Sequence, residues 1–126
     1  MSLFRGLMGH ASEVSIRDLV DEFSPFLVEG EELLLAYKLV RDVFVFTDRR
    51  LILVDRQGLS GRKVDYQSIP YKSIVRFSKE SAGMFDLDAE LKIWVRGTER
   101  PIEKEFRQDK SINDIYRALS EAVLGT

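Results

Sequence analysis

Residues 87–97 read LDAELKIWVRG. Leu87, Ala89, Leu91, Ile93 and Val95 alternate with Asp88, Glu90, Lys92, Trp94 and Arg96. Successive side chains of a strand point to opposite faces, so this alternation specifies a strand with one buried face. Similar short runs recur near 32–40, 43–47, 50–56, 62–68, 73–79 and 100–107. The links between them are short and rich in turn residues: Arg41-Asp42, Gln57-Gly58-Leu59-Ser60-Gly61, Ser81-Ala82-Gly83 and Gly97-Thr98. A parallel crossover needs a dozen or more residues, so links of this length require antiparallel neighbours. About seven antiparallel strands are therefore expected.

Helical spacing appears only at the two ends. Ile16, Leu19, Val20, Phe23 and Leu27 follow it, with Ser15 and Asp18 placed like a capping box and Pro25 set to end the helix near Ser24. Near the C-terminus, Ile112, Ile115, Tyr116, Leu119, Ala122 and Val123 form one apolar stripe. Ser111 and Asp114 can cap its start, and Gly125 suits the position after its last turn. The order helix, strands, helix predicts a mainly β (α+β) fold. We expect a seven-stranded antiparallel β-sandwich or partly open barrel, a C-terminal capping helix and an extra N-terminal helix. A chain of 126 residues suffices for one buried core. Residues 12–126 are read as a single domain that includes the N-terminal helix, and residues 1–11 as a loose arm. Leu3, Phe4, Leu7 and Met8 of that arm also fit an amphipathic segment touching a partner or a membrane.

The first three strands are apolar on both sides. Leu33, Leu35, Tyr37 and Leu39 are expected on one face, and Leu34, Ala36 and Val40 on the other. Val43-Phe44-Val45-Phe46 and Leu51-Ile52-Leu53-Val54 follow. Large exposed apolar patches are rare on monomers, so the second face needs a cover. The helix at 15–24 is the nearest one, and a neighbouring subunit can supply the rest.

Composition removes several function classes. Net charge is −2, from 19 basic and 21 acidic side chains. Duplex-binding domains show a basic excess, so nucleic acid is not an expected partner. With no cysteine, disulfides, thiolate metal sites and cysteine nucleophiles are excluded. His10 is the sole histidine and lies in the arm, so a histidine triad or histidine-rich metal site has no material. Glu80, Asp86, Asp88 and Glu90 can serve a glycosidase or hold a hard cation, although strand alternation explains them as solvated surface. The stretch GLSG lacks the Lys-Ser/Thr of a phosphate loop. No apolar run approaches the ~18 residues of a membrane span. The N-terminus lacks the sustained apolar core of a signal peptide. A cytoplasmic protein with neither metal nor cofactor is expected.

Three stretches carry a family resemblance: RDVFVFTDRRLILVDRQG, SIPYKSIVRFSKESAG and FDLDAELKIWVRG. Together they resemble the bacterial pleckstrin-homology-like domain family, long counted as a domain of unknown function, over roughly residues 12–124. The resemblance implies a pleckstrin-homology fold, no enzymatic activity, and assembly into a homo-oligomeric ring such as a pentamer or hexamer. We expect such an assembly to act as an interaction module for protein or peptide partners.

Two sets of site residues follow. In eukaryotic pleckstrin-homology domains the first, third and sixth inter-strand loops bind phosphoinositides. In this chain those loops hold Arg41, then Arg56, Arg62 and Lys63, then Arg96 and Arg100, beside Asp42, Asp55 and Glu99. These cations form a candidate anionic-ligand cluster, and a peripheral binder of anionic membrane lipid is the alternative reading. The first loop is only about two residues long and lacks the lysine–arginine pattern of the lipid binders. The candidate oligomer interface comprises Trp94, Val75, Phe77, Arg49 and Arg50. Trp94 sits among charges on the polar face of its strand, and the strand at 73–79 is the candidate free edge. Arg49 and Arg50 follow Asp48 at a hairpin corner, in the implied second loop, away from the basic cluster.

Overall fold

The computed structural model describes residues 16–39, 42–57, 63–81, 89–106 and 112–125. Its elements in chain order are α1 (Ile16–Phe23), β1 (Leu33–Lys38), β2 (Asp42–Thr47), β3 (Arg50–Gln57), β4 (Lys63–Pro70), β5 (Ile74–Ser81), β6 (Ala89–Val95), β7 (Ile102–Phe106) and α2 (Ile112–Leu124). Every paired neighbour is antiparallel, as the short links require. The strands form one sheet ordered β1-β2-β3-β4 and another ordered β5-β6-β7. The mainly β fold with terminal helices is thus the one observed. The chain divides into two compact units, Met1–Pro70 and Tyr71–Thr126. The proposed arm at 1–11 lies outside the described residues.

In the first unit β2 and β3 are buried on both faces, as their unbroken apolar runs dictate. One face carries Leu35, Tyr37, Phe44, Phe46, Leu51, Leu53 and Ile69. The other carries Ala36, Val43, Val45, Ile52 and Val54, and on it lie Leu19 and Phe23 of α1. The N-terminal helix therefore is the cover that the apolar second face demanded. Burying a side chain of this size contributes about 1.5–3 kcal/mol, and Phe23 is 0% exposed. The α-helix stops at Phe23, and Pro25 lies in the first turn of a short 3₁₀ segment, Ser24–Phe26. This segment brings Phe26 onto Tyr66 of β4, with ring centroids 5.1 Å apart.

One expectation about facing is corrected. A register shift between Leu33 and Leu35 bulges β1. Leu33 consequently packs with Ala36 on the α1 side rather than in line with Leu35 and Tyr37. A bulge adds one residue to a strand and so reverses the face of everything before it.

In the second unit the alternation of β6 is realised as expected. Ala89, Leu91 and Ile93 are buried, while Glu90, Lys92 and Trp94 are partly exposed. Val95 is less buried than its parity suggests, because β5 bulges opposite it between Ile74 and Arg76. The helix α2 buries Ile112, Ile115, Ala118 and Leu119 and packs on β5 and β6. Ala118 joins the predicted stripe, whereas Ala122 and Val123, in its last turns, are only half-buried. Gly125 N–H donates to the Glu121 carbonyl at 3.0 Å. A Cβ at Gly125 would lie 2.3 Å from that same oxygen, so glycine is required there.

Candidate functional site

The hairpin corner Asp48-Arg49 joins β2 to β3, and its charges are built into the fold. The Thr47 hydroxyl oxygen accepts from the N–H groups of Arg49 and Arg50, at 3.0 and 2.9 Å, closing the turn as a side-chain mimic of backbone. Asp48 Oδ1 accepts from the Glu32 N–H at 2.8 Å. Arg50 points to the α1 side of β3. Its Nε and Nη2 donate to the two oxygens of Glu31, each at 2.9 Å, and Nη2 also donates to the Phe26 carbonyl at 2.9 Å. Nη1 reaches Ser68 Oγ at 3.0 Å. The Glu31 side chain is 1% exposed, and Thr47 donates to it at 2.7 Å. Burial pushes the Glu31 carboxyl upward, but the hydrogen bonds from Arg50, Thr47 and the Val28 N–H, with the Arg50 charge, outweigh it and bring the pKa to about 2. Arg50 is thus a bidentate clamp across β3, β4 and the Phe26 turn. Arg49 is exposed and lies over Gly30, whose added Cβ would sit 3.4 Å from Arg49 Nη2.

Four of the six candidate anion-binding cations lie among the described residues, Arg56 and Lys63 in the first unit and Arg96 and Arg100 in the second. Arg41 and Arg62 lie outside the described residues. Lys63 is exposed at the start of β4. Arg56 is spent on Glu22, its Nη2 lying 3.0–3.1 Å from both carboxylate oxygens. Tyr66 donates to the same carboxylate at 2.5 Å, and this bond, with burial and the Glu22 charge, holds its phenol above the usual value. Arg96 and Arg100 are exposed in the turn between β6 and β7, where Thr98 N–H bonds the Val95 carbonyl and Gly97 takes φ +85°.

Of the candidate contact residues, Trp94 is half-exposed on the face of β6 opposite buried Leu91 and Ile93, and the Arg76 guanidinium stacks 4.5 Å from its ring centroid. Val75 is 55% exposed at the β5 bulge. Phe77 meets Tyr116 of α2 with centroids 5.3 Å apart. The strand β5 is an edge of its sheet, as anticipated. Among the carboxylates, Glu80 and Glu90 lie 3.5 and 3.6 Å from Lys92. Glu80 foremost raises the Lys92 pKa. Asp86 and Asp88 lie outside the described residues. Among the described residues no group of three or more histidine, aspartate or glutamate side chains can hold a metal, and no helix is long and apolar enough to cross a membrane.

Two features escaped the sequence reading. Glu31 stands in the acidic run Glu29-Gly30-Glu31-Glu32, and nothing in that run marks it out as the partner of Arg50. The Glu22–Arg56–Tyr66 set joins residues distant in sequence, and no local pattern announces it.

A four-stranded antiparallel sheet, then a three-stranded one, then a helix is the element order of a pleckstrin-homology-like domain, and comparison with known proteins agrees. The family model for the bacterial PH domain matches residues 2–123, and the chain belongs to that family. It is 54% identical over 121 residues to YjqA, an uncharacterised protein of Bacillus subtilis, covering 95% of this chain and 97% of YjqA. A pleckstrin homology domain from Shewanella amazonensis superimposes with TM-score 0.84 at 52% identity, over 96% of this chain and 98% of that one. A DUF1696 family protein with a pleckstrin-homology domain, from Shewanella loihica, gives TM-score 0.79 at 45% identity, over 92% and 99% of the two chains.

Proposed function

We propose that this chain is a non-catalytic interaction module of the cytoplasm. It assembles with copies of itself into a closed ring and offers the ring's faces to protein or peptide partners. The observation that carries the reading is Trp94. It is the chain's one tryptophan, it stays half-exposed, and the Arg76 guanidinium lies over its ring. Tryptophan and arginine are the residues most enriched at binding hot spots. Arg50 and Phe77 are engaged within the fold, so the self-contact falls to the Trp94 face, the Val75 edge and the Arg49 corner. A heterologous contact of this kind closes when its rotation suits. Trp94→Ala is expected to convert a multi-copy species into single chains in native mass spectrometry. A wild-type protein that is already monomeric would refute the reading.

A second reading, peripheral binding to anionic lipid, is favoured by the exposure of Arg96, Arg100 and Lys63. The Glu22–Arg56 pair weakens it by removing one cation from the set. Binding to anionic vesicles should fall steeply with salt and vanish in Arg96→Glu/Arg100→Glu. Vesicle binding that survives both changes would eliminate it.

A further inference from the structure

We propose that the strip of β4 left open beside α1 is a docking groove for a cationic amphipathic segment, and that the chain's own residues 3–8 fill it by folding back antiparallel to α1. The inference stands apart from the self-assembly reading and concerns a segment which that reading leaves unused. The first observation is the extent of the α1 cover. The core beneath α1 draws its buried side chains from α1, β1, β2 and β3. Among the described residues it draws none from β4, of which only Val64 packs against it, half-buried. Val64, Tyr66 and Ser68 share the α1 side of β4, opposite Arg56, Val54 and Ile52 in register. Tyr66 meets Phe26 with ring centroids 5.1 Å apart, yet each of the two residues stays 39% exposed. Val64, Tyr66 and Phe26 thus form an apolar strip along α1 that nothing in the described residues covers.

The second observation is the charge of the helix flank above this strip. Glu22 turns toward it, 3.0 Å from Arg56 Nη2 and bonded by the Tyr66 hydroxyl. Asp18 stands four positions earlier on the same flank and is exposed. Residues 16–32 carry six acids and the single base Arg17. Adjacent helix residues do not share a face, so Arg17 turns away from Asp18. Arg56 and Arg50 answer Glu22 and Glu31, and the wall keeps Asp18. An acidic wall over an apolar floor selects a cationic, apolar occupant and repels an anionic bilayer.

The third observation is that the sequence supplies such an occupant. Residues 1–12 hold Arg5 and His10 and no acid. Leu3, Phe4, Leu7 and Met8 recur at helical spacing and make one stripe. The reach is sufficient. The 8 residues of α1 run about 12 Å, and residues 3–8 as a helix run about 9 Å. Residues 9–15 between them span up to about 23 Å, against the roughly 8–10 Å that separates packed helix axes. An antiparallel return sets Leu7 and Met8 beside Val64, and Leu3 and Phe4 beside Tyr66 and Phe26. Arg5 then falls between them, within reach of Asp18. The tether gives the segment a high effective concentration, so a partner of the same chemistry has to displace it.

The chain has no cysteine, so Ser2→Cys provides one attachment point for a nitroxide in the full chain. In perdeuterated, isotope-labelled protein at about 0.15 M salt, the label is expected to broaden the amide signals of Val64–Ser68 and of the Asp18–Glu22 flank. Phe4→Ser with Leu7→Ser should lower the docked population more than about tenfold. Arg5→Asp should lower it about fivefold, and adding Asp18→Arg should restore it. The amide spectrum of the same samples reads folding separately from docking. The proposal is overturned if the label broadens no signal on the strip, if broadening survives Phe4→Ser with Leu7→Ser, or if Asp18→Arg fails to restore it. Two further outcomes hand the segment to another occupant and equally overturn it. One is broadening of full strength in protein co-refolded with label and isotope on different copies. The other is loss of the broadening when anionic vesicles are added.

Discussion

Replacing Glu31 by glutamine should destabilise the protein and alter its response to acid. The carboxyl is held at about 2 instead of its ordinary 4.5, which favours the charged form in the fold by roughly 3 kcal/mol. The side chain is 1% exposed, so solvent screening takes little from this figure, although Arg50, at 21%, keeps some hydration. Removing one member of a buried pair typically costs about 3–5 kcal/mol, and the two routes agree. Glutamine keeps the shape and one acceptor oxygen but places an NH₂ against the Arg50 guanidinium. A loss of about 2–3 kcal/mol at neutral pH is expected, read by urea denaturation followed by circular dichroism. The sign of the pH dependence follows from the lowered pKa. The Glu31 contribution is fully present above 4.5 and is lost as pH falls toward 2. The gap between wild type and Glu31→Gln should therefore be constant above about pH 5 and close as the pH approaches 2. A gap below about 0.5 kcal/mol at neutral pH, or one that persists undiminished at the acid end, would refute the clamp.

Other substitutions test other parts of the fold. Phe23→Ala removes a fully buried ring from the α1 cover and should cost about 3–5 kcal/mol in the same denaturation assay. Gly30 takes φ +83° in the turn closed by Glu31 N–H to the Val28 carbonyl, so Gly30→Ala should cost about 1–2 kcal/mol. Tyr66→Phe deletes a hydrogen bond to Glu22 and should cost about 0.5–1.5 kcal/mol, while abolishing the high phenol pKa in spectrophotometric titration.

Periodicity made the architecture legible because it reports burial directly. The run at 87–97 and the doubly apolar β2 and β3 were sufficient to place their strands, and the apolar second face called for a cover, which α1 supplies. The bulge at Leu34 was not legible, since an extra residue in a strand looks like any other leucine in a row of leucines. The corner Thr47-Asp48-Arg49-Arg50 was readable as a turn, but not the destination of Arg50. Its acid partner stands 19 positions away, and the pairing depends on how the Phe26 turn returns over β3. The basic set was readable as charge alone. That Glu22 neutralises Arg56 depends on α1 lying across the sheet, a tertiary fact with no local signature.

Self-assembly is the central claim, and the native mass of the purified full chain at near-physiological salt tests it most directly. One closed species of several identical copies, lost in Trp94→Ala, is the predicted result. A single-chain mass for the wild type, unchanged across a wide concentration range, would contradict the account.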